Sequence, residues 1–296
     1  MWRYFINPIR GVLLALILSA VTVFWASAIV ISAALVSFVP TKRGHHFATK
    51  LLLRLPVYWL DSLKLGLQIS TFRKWDIQGP QDLDPNKSYL LMCNHQDWFD
   101  ILVLGYVFNR KTAIIKFFMK KQLLWTLPFA AWACWALGFP FMERHTAQQI
   151  RKKPELKGKD IETTKKACKK FISHHATVMN FVEGTRFSDL KKEGQKSPYH
   201  HLLKPKSGGL AIVLHETKGH LAGIINATIV YEKSFTLWQC LRGDFKKIVC
   251  HYELLPIEEE LIGDYYTDRQ FRKQIQQWLN RRWQEKDAQI DGLAEK

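Results

Sequence analysis

The stretch from Ser88 to Phe108, SYLLMCNHQDWFDILVLGYVF, decides the fold. Its first part, Ser88 to Asn94, is a short apolar run of the kind that forms a buried strand. From Asp100 to Phe108 the chain is again apolar but opens on an acidic residue, which suits the first turn of a helix. Strand passing straight into helix is the unit of an α/β domain. Between them lie Asn94-His95-Gln96-Asp97-Trp98-Phe99-Asp100, at the kind of strand end where α/β sheets carry their sites.

Outward from this stretch the alternation continues. Strand-like runs cover Lys111 to Met119, Phe139 to Met142, Thr177 to Val182, Leu221 to Tyr231 and Lys247 to Pro256. Helical spacing of large residues (Trp125, Phe129, Trp132, Trp135) predicts a helix over Leu123 to Leu137. Asp160 to His174 reads as a charged amphipathic helix and Asp264 to Ala288 as a long polar one. The expected fold is therefore α/β, with a mixed, largely parallel sheet flanked by helices.

The N-terminal part differs. Gly11 to Thr41 carries no charged side chain and is long enough for a bilayer core, which needs about 20 helical residues. A signal peptide has a shorter apolar core of about 7–15 residues, so this run predicts a retained membrane anchor. Arg3 and Arg10 precede it; Lys42, Arg43, Lys50 and Arg54 follow it. Both flanks favour the cytoplasm, so a single span and a two-helix hairpin both satisfy the charges. Leu51 to Ile69, with Tyr58 and Trp59, reads as an interfacial helix or as a core helix of the globular part. The expected division is residues 1–75 as anchor and interfacial helix, and 76–296 as the α/β domain.

The 296 residues carry 43 Lys and Arg against 26 Asp and Glu, a formal charge of +17. Residues 101–256 hold 26 basic and 11 acidic side chains, so the excess sits in the α/β part. Two clusters stand out: Arg110, Lys111, Lys116, Lys120 and Lys121, and then Lys191, Lys192, Lys196, Lys204 and Lys206. Beside an apolar N-terminus they suit anionic lipid. No zinc-finger spacing, leucine zipper or base-stacking motif accompanies them, which argues against nucleic acid. Five scattered cysteines argue against a disulfide framework and against a zinc knuckle, and fit a reducing compartment.

The sequence contains no G-x-G-x-x-G, Walker loop or G-x-S-x-G elbow. His215 and His220 are five apart and do not share a helix face, so they make no metalloprotease motif. The pairs His45-His46, His174-His175 and His200-His201 have no ligand partners at helical or knuckle spacing and read as surface residues. What remains is His95 with Asp100, a base and its orienting carboxylate across a turn. Two further strand ends add to it: Gly138-Phe139-Pro140-Phe141-Met142-Glu143-Arg144 and Glu183-Gly184-Thr185-Arg186. Glycine there permits close backbone approach, and arginine offers a planar fork to phosphate.

In this order and spacing the set resembles the glycerolipid acyltransferases of the lysophosphatidic acid acyltransferase type, marked by N-H-x-x-x-x-D, G-x-x-F-x-x-R and E-G-T-R. Lys120-Lys121-Gln122-Leu123 followed by Pro128 is similar to the segment between the first two motifs. The nearest likeness is to the bacterial YihG-type branch, through Phe-Val-Glu-Gly-Thr-Arg-Phe and the closing Gln-Gln-Trp-Leu-Asn. The resemblance implies catalytic His95 and Asp100, and substrate binding by Arg144, Glu183, Gly184, Thr185, Arg186 and Lys121. It implies no metal and no cofactor, with acyl-CoA or acyl-carrier protein as co-substrate and a lysophospholipid as acceptor. It also implies the bacterial inner membrane, with the catalytic domain facing the cytoplasm. Alternatives are another lysophospholipid acceptor, an acyl hydrolase, or a non-enzymatic protein docking on anionic membrane. Two departures stand out. Asp97 replaces the usual Ser or Thr of the first block, and Ile224 to Val230 lacks the proline common after Gly208-Gly209.

Overall fold

The computed structural model describes residues 2–71, 74–142, 151, 159–231, 237–244 and 247–294. Its main sheet has six strands: β1 (Lys74–Gln78), β2 (Leu90–Cys93), β3 (Ile115–Phe117), β6 (Thr177–Phe181), β7 (Ile224–Tyr231) and β8 (Lys247–Leu255). They lie in the order β1-β8-β7-β2-β6-β3. Four neighbouring pairs are parallel, and β7 with β8 is antiparallel. A second ribbon pairs β4 (Met119–Lys120) with β5 (Phe141–Met142) in parallel. The mixed, largely parallel sheet matches the expected fold.

Strand β2 sits inside the sheet, so both its faces must be apolar. Leu90 and Met92 join one core with Cys168 and Phe171, Leu210 and Val213, and Ile275, Leu279 and Trp283. These come from helices α7 (Lys159–Ser173), α9 (Ser207–Glu216) and α11 (Arg269–Ala294). Leu91 and Cys93 face the other core, against Phe99, Val103, Leu104 and Phe108 of α4 (Phe99–Phe108) and Leu67 of α3 (Leu55–Thr71). Alternate residues of one strand thus build two cores. The result is three layers with β2 at the centre.

Helix α1 (Trp2–Ser37) is continuous, so the apolar run does not turn back within itself. At about 1.5 Å per residue its 36 residues reach about 54 Å, against a hydrocarbon core of roughly 30 Å. It lies along the globular part. Near its start Gly11 meets Trp238 and Arg242 of α10 (Leu237–Arg242), and Leu18 packs by Gly66. Trp25 Nε1 then donates to Ser62 Oγ at 3.0 Å, and Ala26 and Ile29 pack with Ala133 and Leu137. Its other side exposes Leu16, Phe24, Ile31 and Leu35. The stretch expected as an interfacial helix is shared between α2 (Lys42–Leu52) and α3, with Pro56 accommodated in the first turn of α3.

Four expectations are corrected. The helix expected over 123–137 breaks into α5 (Leu123–Thr126) and α6 (Ala130–Ala136), because Pro128 cannot donate and Phe129 takes φ 60°. The strand expected over 111–119 divides between β3 and β4. The C-terminal helix starts at Arg269 rather than Asp264. Asp268 caps it, its Oδ1 accepting from the N–H groups of Gln270 and Phe271, while Asp264 closes a separate turn at Tyr266 and Thr267. Finally, the first basic cluster is not one face. Lys116 is fully buried, Arg110 pairs with Asp61, and Lys111 bonds Tyr252.

Candidate active site

Where β2 leaves the sheet, the side chain of Asn94 takes over its ladder. Asn94 Nδ2 donates to Ile229 O, and the Ile229 N–H donates to Asn94 Oδ1, both at 2.9 Å. The amide imitates one more rung beside β7 and fixes where the chain turns. His95 follows, its ring stacked on Phe181 with centroids 3.9 Å apart and planes 11° from parallel. His95 Nδ1 lies 2.8 Å from Asp100 Oδ2. An ionised carboxylate only accepts, so Nδ1 carries the hydrogen and Nε2 keeps its lone pair.

Asp100 is fully buried, and its partners are complete. Oδ2 accepts from His95 and from the N–H groups of Gln96 (2.7 Å) and Asp97 (3.0 Å), and Oδ1 accepts from the Tyr231 hydroxyl at 2.6 Å. A buried carboxylate needs such compensation, and the first turn of α4 adds the favourable end of a helix dipole. Burial and the neighbouring Asp100 carboxylate push the Tyr231 hydroxyl well above its usual pKa, so it stays a donor. Tyr231 had no local signal in the sequence. It lies 131 residues from Asp100 and reaches it because β7 pairs with β2. Asp97 Oδ1 accepts the Phe99 N–H at 3.1 Å, a capping contact.

The turn after β6 lies beside this one. The Phe187 N–H donates to His95 O at 2.7 Å, and the Lys206 N–H to Val182 O at 2.8 Å. Gly184 takes φ 72°, where a side chain would be strained, and its N–H closes the turn on Phe181 O. Glu183 is buried, and among the described residues neither carboxyl oxygen has a hydrogen-bond partner of ordinary geometry. Burial pushes its pKa up to about 8; the backbone N–H groups of His95 and Leu203 and the more distant Lys286 ammonium offset only part of that rise. Arg186 is exposed, its guanidinium 5.0 Å from the Trp98 ring centre. Lys191 braces the turn, donating to Thr185 Oγ1 and Arg186 O.

Arg144 lies outside the described residues. The strand leading to it does not: Gly138 turns at φ 76°, and β5 then runs parallel to β4 as far as Met142. Beneath the turn, the buried Lys116 ammonium donates to Leu137 O at 2.7 Å and meets His174 Nδ1 at 3.0 Å. Burial lowers Lys116 to about 8, and burial together with Lys116 lowers His174 to about 4. The exposed Lys121 donates its N–H to Met142 O, at the same end of the ribbon. A cavity of about 530 Å³, lined by Thr41, Lys42, His45, His46 and His174, opens near the start of β6, the end opposite Phe181 and His95.

A family model described as Acyltransferase matches residues 74–230, which include all three motifs. Among solved structures the chain is similar to the crystal structure of the 1-acyl-sn-glycerophosphate (LPA) acyltransferase PlsC from Thermotoga maritima. Identity is 17% and the TM-score 0.58, over 96% of this chain and 97% of that one. At that identity the likeness is one of fold. None of the curated proteins compared matches the chain.

Proposed function

This chain belongs to the acyltransferase family, and from that premise we propose that it moves a fatty acyl group from a thioester to the free hydroxyl of 1-acyl-glycerol-3-phosphate, giving phosphatidic acid. The observation that carries the reading is the His95–Asp100 pair, hydrogen-bonded on a strand end and tied through Phe187 to the Glu183–Arg186 turn. His95 Nε2 takes the proton of the acceptor hydroxyl as its oxygen attacks the thioester carbonyl. Asp100 stabilises the imidazolium that forms. The C–S bond breaks, and the thiolate leaves with the proton that His95 returns. Arg186 grips the acceptor phosphate, with Arg144 and Lys121 as its partners in charge. The donor is acyl-CoA or acyl-carrier protein, within a branch of the YihG type.

The membrane end follows the same logic. Helix α1, whose part Asn7–Ser37 is long and apolar enough to cross a bilayer, also holds the domain through α3, α6 and α10. Its exposed leucines and Phe24, and separately the exposed Trp125 (82% exposed) and Trp135 (65%), are apolar and aromatic side chains suited to the headgroup boundary. We place the protein in the bacterial inner membrane with the site on the cytoplasmic side, where thioester donors are.

The test is acyl transfer by membranes carrying wild type or His95→Ala, given oleoyl-CoA and a panel of lysophospholipids. Wild type is expected to acylate lysophosphatidic acid, and the variant to lose at least about 100-fold, the lower range for a general base. Transfer only to another lysolipid would change the acceptor. Acyl release without an acceptor would make the protein a hydrolase, and an active His95→Ala would overturn the mechanism.

A further inference from the structure

We propose that His200, His201 and Asp291 form a binding site for a divalent transition-metal ion of the zinc or cobalt kind, separate from the catalytic turns. The histidines stand on the loop after α8 (Asp189–Gln195), and Asp291 stands in the last turns of α11. His201 Nε2 lies 2.7 Å from Asp291 Oδ1 and 3.1 Å from His200 Nδ1; the third edge, His200 Nδ1 to Asp291 Oδ1, is 4.0 Å. A triangle with these edges has one point about 2.0 Å from every corner, the length of zinc–nitrogen and zinc–oxygen bonds, with His200 Nδ1 and Asp291 Oδ1 nearly opposite each other across it, which suits a five- or six-coordinate ion completed by water rather than a tetrahedral one. Two imidazoles and one carboxylate are a donor set for zinc, cobalt or nickel rather than for magnesium or calcium.

Two features make this more than a surface hydrogen bond. First, two neutral imidazole nitrogens facing each other at 3.1 Å can share only one hydrogen, whereas a cation between them uses both lone pairs. Second, the backbone is fixed from behind. The N–H groups of His200 and His201 donate to Asp287 Oδ2 and Oδ1 at 2.6 and 2.8 Å, and Asp287 lies four residues before Asp291 on the same helix face. The loop is anchored on both sides, by Tyr199 Oη to Asn280 O and by Trp283 Nε1 to Leu203 O. Asp287 and Asp291 bring two carboxylates to the loop, while Lys192 donates to His200 O. His200 and Asp291 are exposed, so solvent reaches the remaining coordination positions.

The experiment uses the untagged full chain in detergent micelles, with Co²⁺ as the spectroscopic probe and Zn²⁺ as competitor. Wild type is expected to saturate at one equivalent of Co²⁺, developing the visible absorption of a nitrogen- and oxygen-ligated ion that Zn²⁺ removes. His201→Ala and Asp291→Ala should each weaken Zn²⁺ binding at least tenfold, while His45→Ala/His46→Ala leaves it unchanged. Asp291→Asn retains a hydrogen bond to His201 without the charge, and should weaken binding with metal-free melting unaltered. Equal affinity in wild type and Asp291→Ala, or no saturable cobalt spectrum, would overturn the site.

Discussion

The turn after β2 and the turn after β6 are neighbours joined by one backbone hydrogen bond, yet they are built on opposite terms. In the first, the buried carboxylate of Asp100 accepts four hydrogen bonds, and Asn94 extends the sheet to hold the chain in place. In the second, the buried carboxyl of Glu183 has only the His95 and Leu203 N–H groups near it, neither in ordinary hydrogen-bond geometry, and Arg186 stands in solvent against one aromatic face. One turn is finished before substrate arrives. The other has no such set of partners among the described residues, as the proposed phosphate grip of Arg186 requires. A base must be oriented in advance, whereas a charged grip gains most from a ligand that brings the opposite charge.

The largest expected effect breaks the finished turn. Asp100→Asn keeps the shape, because its amide oxygen can still accept on the Oδ2 side while its NH2 meets the Tyr231 hydroxyl, but it removes the charge that the proposed mechanism uses to stabilise the imidazolium. Loss of about 10²–10⁴ in kcat is expected, the range that general-base catalysis contributes. Single-turnover acyl transfer checks it. Activity within tenfold of wild type would mean that the dyad is not the machinery.

Arg186→Ala tests the unfinished turn and should cost less. A phosphate grip binds ground state and transition state alike, so KM for the lysolipid should rise about tenfold with kcat nearly unchanged. Equal falls in kcat and kcat/KM would place the guanidinium on the reacting atoms instead.

Glu183→Gln separates the two turns by pH rather than by rate. The Glu183 pKa stands at about 8 in the fold against an ordinary 4.5. The native state therefore holds a proton that the unfolded chain has lost between these values. The carboxyl's contribution to stability is complete below about pH 4.5 and declines as pH rises through 8. Glutamine does not titrate. Melting of wild type should therefore fall relative to Glu183→Gln from pH 5 to 8 and level off above, by an amount on the order of several degrees. A constant gap would show that the carboxyl is ionised and paired at neutral pH.

The sequence was most legible where physics is local. An apolar strand running into an acid-capped helix located β2 and α4, and the polar residues between them located His95 and Asp100. Illegible were the partners supplied by pairing. Tyr231 and Ile229 come to the turn only because β7 lies beside β2, which no local pattern states. Asp291 reaches the 200–201 histidines across 90 residues. Lys116 looked like part of a basic surface because its neighbours in sequence are basic, but its strand points it inward to Leu137 O. Strand β1 and helix α9 carry weaker local signals. The first is only five residues long, with Trp75 and Ile77 alternating with polar residues, and the second opens on Ser-Gly-Gly, a poor helical start that tertiary packing overrides.

The smallest expected effect sharpens the comparison at its boundary. Asp97 stands beside the base and carries a charge, so it has two possible roles, to raise the basicity of His95 or to cap α4. The geometry favours the cap: Oδ1 accepts the Phe99 N–H, and the Asp97 N–H is spent on Asp100. Serine caps a helix about as well as aspartate. Asp97→Ser should therefore leave kcat/KM within about twofold and the pH–rate profile in place, because the four bonds to Asp100 survive. A shift of the acid limb by half a pH unit or more would correspond to about 0.7 kcal/mol of charge interaction. That result would make Asp97 part of the base, and the first turn would then owe its tuning to a residue outside its closed set of hydrogen bonds.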